Sequence, residues 1–132
     1  MPLAATILLF AAQATAHAQS IDGRWINPAK SVIIQIGPCG DKRCGTVEWA
    51  SAEAQADAHK NAPKLVGSSL LTDLEPRTAD QWRGRLFVPD RNIRASAKID
   101  VISPNEIKVA GCALGGILCD SQVWTKTSAP SP

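Results

Sequence analysis

The residues of this sequence whose chemistry is easiest to state are its four cysteines, which fall in two close pairs, Cys39 with Cys44 and Cys112 with Cys119. Thiols a few residues apart form a disulfide in an oxidising compartment or donate thiolates to zinc. Four cysteines allow three disulfide pairings, and the local one is favoured because each pair then closes a hairpin. Bridging so short a loop stabilises by about 2 to 2.5 kcal/mol on the chain-entropy account. A four-thiolate zinc site is the rival arrangement. Export, argued below, sets it second, and no metal is expected.

Hydrolytic chemistry needs a nucleophile, a base and an acid that orients the base. After the N-terminal segment there is one histidine, His59, in an Ala-rich stretch beside Lys60 and near Asp57. A solvated helix residue explains it better than a general base. Glu48 sits on the strand face opposite Trp49, and most other acids fall in turns, so no two carboxylates are set for acid–base work. Gly115-Gly116 lies between two cysteines, where turn chemistry accounts for it better than phosphate binding. The expectation is a protein that is not an enzyme and takes no cofactor.

Tryptophan is the more informative signal, with four Trp against two Phe and no Tyr. Trp25, Trp49 and Trp82 fall on the apolar faces of predicted strands, and each indole N–H needs a partner when buried. They serve either as core or as a ring around a small cavity that Gly84, Ala95 and Ala97 make roomier. Trp25, Trp49, Trp82, Ala95 and Ala97 are therefore the candidate ligand-binding residues. The face of Trp124 is left open by its alternation with Val123; Lys126 or Arg24 over its ring would form a cation–π clasp.

A basic excess runs through Arg77, Arg83, Arg85, Arg91, Arg94 and Lys98, a segment whose acids are Asp80 and Asp90. Arg83, Arg85, Arg94 and Lys98 share the outer face of two consecutive predicted strands. This is either a solvated face or a docking patch for an anionic partner. Across the chain 14 basic and 12 acidic residues leave a formal charge of +2. No dense basic run with interleaved aromatics appears, so nucleic acid is not an expected partner.

The elements that must position these residues are mostly strands. Period-2 patterns place Val32, Ile34 and Ile36 on one face, then Val47 and Trp49, then Trp82, Gly84, Leu86 and Val88, then Ala95, Ala97, Ile99 and Val101. Leu70, Thr72 and Leu74 alternate after Gly67-Ser68-Ser69, which predicts a bent or bulged strand. Ser51 to Lys60 predicts one short helix, with Ser51 as its N-cap and Pro63 ending the segment. About eight short strands with turns at regular spacing make an all-β signature, and an eight-stranded antiparallel barrel is favoured because closure removes edges.

Leu3 to Ala12 is an apolar run too short to span a bilayer, and Ala16-His17-Ala18 supplies a small-x-small cleavage pattern. Residues 1–18 are read as a cleaved signal peptide, 19–127 as the barrel domain and 128–132 as a disordered tail. The n-region lacks Lys and Arg, a departure from the usual pattern of such segments. The mature chain is expected to be periplasmic or secreted, without a transmembrane segment, and monomeric.

Gly23-x-Trp25, the Cys39-Gly40 to Cys44-Gly45 tip, Asp57 to Asn61 with Pro63, Leu65-Val66-Gly67, Trp82-x-Gly84 with Val88-Pro89-Asp90, and Gly111-Cys112 to Val123-Trp124-Thr125-Lys126 occur in this order. Together they resemble the bacterial exported family called domain of unknown function 2147. The resemblance covers nearly all of the mature chain and implies a lipocalin-like or fatty-acid-binding-like barrel of unassigned role. Two positions depart from that pattern. After Pro89-Asp90 the family usually carries Gly and Tyr where this chain has Arg91-Asn92-Ile93-Arg94, and its last strand often ends in Arg where this one has Lys126.

Two functions follow as expectations. The first is an exported binding protein holding a small apolar or amphipathic ligand inside the barrel, with the helix near its mouth. The second is a periplasmic interaction or inhibitor protein acting through its stapled loops, such as Lys42-Arg43, on another protein or an anionic surface.

Overall fold

The computed structural model describes residues 3–8, 18–113 and 118–132. Eight strands among these residues, β1 (Gly23–Ile26), β2 (Val32–Cys39), β3 (Lys42–Ala50), β4 (Ser69–Thr78), β5 (Gln81–Val88), β6 (Ile93–Ser103), β7 (Glu106–Ala113) and β8 (Leu118–Lys126), close in sequence order into an antiparallel barrel. One helix among the described residues, α1 (Ala52–Ala58), joins β3 to β4. The expected architecture is the observed one. Of the predicted signal peptide, residues 3–8 carry no helix or strand and are exposed, Ala18 packs against the core, and the remainder lies outside the described residues, as does the Gly115-Gly116 turn.

Turn chemistry fixes the register. Cys39 pairs with Lys42 across the two-residue turn Gly40–Asp41, where Gly40 takes φ +69°. A tight hairpin turn needs a left-handed residue there, and glycine adopts it without steric cost. Gly40–Asp41, the turns after β4 and β6, and the segment preceding β1 all lie at one end of the barrel, which is closed. There Ile21 is fully buried and its carbonyl accepts the Trp25 indole N–H at 2.8 Å, while the Gln19 carbonyl accepts that of Trp82 at 3.0 Å. Both indoles thus gain the partner that burial requires. Around them Ile34, Ile36, Val47, Leu71, Leu74 and Ile99 fill the closed half.

Three of the register shifts decide which residues point inward around the core. In β3, Ile33 lies opposite Trp49 but Ile34 lies opposite Val47, so Glu48 is an extra residue. Opposed residues project to one face, and one inserted residue reverses the parity beyond it. Val47 therefore faces the core whereas Trp49 joins Ile33 and Ile26 in a row on the outer face. In β4 the register shifts at Leu70, and again between Thr72 and Glu75, where Asp73 takes φ +53°. Leu71 and Leu74 are buried in consequence, with Leu70 partly buried, instead of the even alternation expected. The second bulge pushes backbone over Gly84, where a Cβ would stand 2.5 Å from the Thr72 carbonyl oxygen. Gly84 makes room for β4 and none for a ligand.

Candidate functional site

The barrel is hollow toward its other end. A cavity of about 660 Å³ opens there, within the range of small-molecule sites. Its apolar lining includes Leu65, Leu70, Leu86, Ala95, Val109 and Trp124. Helix α1 stands at the mouth. Ser51 caps it, its side chain accepting from the Ala54 N–H at 3.1 Å, and Ala58 is buried against the core. Small alanines let the helix lie close to the strands. Beyond it the Asn61 amide donates to the Pro89 carbonyl at 2.7 Å, which ties the helix segment to the loop between β5 and β6.

One wall is incomplete. β1 pairs with β8 at Trp25↔Lys126 and Ile26↔Thr125, after which the chain leaves into the turn before β2. From Trp124 toward its start, β8 continues beyond that register, paired with β7 alone. Ile107, Val109 and Gly111 lie opposite Trp124, Gln122 and Asp120, so these three β8 side chains share the inner face. They run from an indole at depth to a carboxylate at the mouth, and all three line the cavity.

The profile of the family described as "Uncharacterized protein conserved in bacteria (DUF2147)" matches residues 23–126, from the first residue of β1 to the last of β8. The chain belongs to the DUF2147 family. Among solved structures this DUF2147 chain is similar to protein HP1028 from the human pathogen Helicobacter pylori, described as belonging to the lipocalin family. The two are 15% identical over 83% of this chain and 84% of that one, with a TM-score of 0.64. At that identity the likeness is one of fold, and the fold is lipocalin-like. No curated protein matches the chain.

Of the residues singled out from the sequence of this DUF2147 protein, Ala95 lines the cavity, whereas Trp25, Trp82 and Ala97 belong to the closed core and Trp49 lies outside. The ring of indoles is therefore not assembled. Trp124, whose face the alternation left open, is the indole that lines the cavity. Register could have found it, since Ile107 and Val109 fix the inner face of β7 and β8 follows it residue for residue. The clasp forms elsewhere: Lys126 Nζ sits 5.3 Å from the centroid of Trp25, and Arg24 pairs with Glu48 at 2.6 Å. Glu48 holds the Arg24 proton more firmly, first by hydrogen bond and then by charge.

Both local disulfides are present, Cys39–Cys44 at the closed end and Cys112–Cys119 between directly opposed residues beside the mouth. On the outer face of β5 and β6, Arg83 lies opposite Lys98, Arg94 stacks on Phe87 at 4.4 Å, and Asp73 and Asp100 approach Arg85 and Lys98 at 3.8 Å each. The basic patch is thus partly neutralised. At the stapled tip, Lys42 pairs with Glu75 at 3.4 Å and Arg43 with Asp22 at 3.0 Å. His59 is exposed on the helix end, and no group of three or more metal-ligating side chains occurs among the described residues.

Proposed function

We propose that the protein is an exported binding protein that holds one small apolar or amphipathic ligand in the barrel, and that it performs no catalysis. The observation that carries this reading is the apolar cavity of about 660 Å³, open at one end beside α1. Burying an apolar ligand there contributes about 25 cal/mol per Å² removed from water, and a largely preformed wall limits the ordering cost. Export is supported by the two disulfides, which form and persist in oxidising compartments. The loop-docking alternative draws less support, because Lys42 and Arg43 at the tip are already engaged within the chain.

The test is native mass spectrometry of the protein from its producing cell, set against the same sample denatured without reductant. An added mass lost on denaturation, or uptake of a ten-carbon amphiphile by the bare protein, supports the reading. A bare chain that takes up no such probe overturns it.

A further inference from the structure

The chemistry around the mouth narrows the ligand class, given the proposed reading that the cavity holds a ligand. Five of its lining residues carry acidic or basic side chains: Glu53 and Asp57 on α1, Asp90 and Arg91 after β5, and Asp120 on β8. That is four carboxylates against one guanidinium, in a chain that carries more basic residues than acidic ones. None of the five appears in an ion pair among the described residues. Lys30, His59 and Lys60 stand on neighbouring turns without lining the cavity.

Two further observations bear on the same point. The inner face of β8 grades from Trp124 through Gln122 to Asp120, so polarity and negative charge rise together toward solvent. On α1, Glu53 and Asp57 are one turn apart and both line the cavity, and the last turn carries Asp57 with no basic residue. Like charges four residues apart oppose helix formation, as does an acid at the negative end of the helix dipole. Glu53, in the first turn, is favoured by the same dipole, so the cost falls on Asp57, on the side facing the cavity, where a bound cation would offset it.

We infer that the ligand is a cationic amphiphile, its apolar body against Leu86, Val109 and Trp124 and its ammonium-type head at the mouth among Glu53, Asp57, Asp90 and Asp120. An anionic head such as a fatty carboxylate would place its charge among four of the same sign. A neutral head gains no charge–charge attraction from them.

The test compares decyltrimethylammonium and decanoate, each below its micelle concentration, and 1-decanol below its solubility limit, by titration calorimetry at neutral pH and low salt. Decyltrimethylammonium should bind on the order of tenfold more tightly than decanoate, with decanol between, and the ratio should shrink as salt is raised. E53Q/D57N and D90N/D120N should each remove about half of the logarithm of that ratio while leaving decanol binding unchanged, which also reports that the cavity is intact. R91Q should increase the ratio. Equal or tighter binding of decanoate overturns the cationic class while leaving the cavity reading standing. A preference that survives removal of all four carboxylates also overturns it. Uptake of none of the three probes overturns the cavity reading and this inference together.

Discussion

Two alanines on one strand mark where the ligand space ends. Ala95 and Ala97 share the inner face of β6, yet Ala95 lines the cavity and Ala97 is 3% exposed in the closed core. The difference comes from their neighbours. Ala97 lies between Gly84 and Gly111, and the space above Gly84 is already taken by the β4 backbone and Leu74. Ala95 lies opposite Leu86, with the cavity beyond. Ala95→Phe should therefore occupy ligand space, abolishing uptake of the decyl probe with a denaturation midpoint close to that of the parent. Ala97→Phe should overpack the core and lower stability by about 1–3 kcal/mol, read by chemical denaturation. If Ala95→Phe keeps its uptake, the open half of the barrel is not the binding space.

At the scale of elements, α1 and its tether decide how the mouth is held. The helix has seven residues, too few to be stable alone. It depends on the Ser51 cap, the burial of Ala58 and the Asn61 to Pro89 hydrogen bond. Ser51→Ala should cost about 1 kcal/mol, and Asn61→Ala should free the segment without unfolding the barrel. Hydrogen exchange would show faster exchange over residues 52–62 and unchanged protection in β6 and β7; loss of protection throughout would mean that the helix belongs to the barrel's cooperative unit. Both the helix and its cap were legible in the sequence, because an N-cap serine before an alanine-rich run is a local signal. The strands were legible for the same reason, as were the two hairpin staples. A bent or bulged β4 was legible in Gly67-Ser68-Ser69, but the positions of its bulges and the bulge in β3 were not, since an inserted residue is fixed by the partner strand and leaves the local alternation intact. Trp49 was misplaced because Glu48 reverses the parity, and Gly84 because the bulge at Asp73 lies on another strand. The cavity lining suffered most, as it depends on register around the whole barrel.

Across the whole molecule, the two ends are stapled by similar bridges with different consequences. Cys39–Cys44 closes the hairpin at the sealed end, where Trp25, Trp82 and Ile21 already fill the interior. Cys112–Cys119 joins β7 to the part of β8 that extends beyond β1, and Cys119 itself lines the cavity. On the chain-entropy account each bridge contributes about 2 to 2.5 kcal/mol, so equilibrium unfolding should be lowered similarly by Cys39→Ala/Cys44→Ala and by Cys112→Ala/Cys119→Ala. Ligand binding should separate them. With the mouth bridge gone, Asp120 and Gln122 sit on a strand held from one side by backbone pairing alone, and ordering that strand becomes part of the binding cost. The mouth variant should lose affinity for decyltrimethylammonium several-fold and exchange the amides of residues 119–123 faster, while the closed-end variant binds as the parent does. Equal loss of affinity in both variants, measured where each remains folded, would trace the effect to global stability and remove the mouth bridge from any part in holding the site.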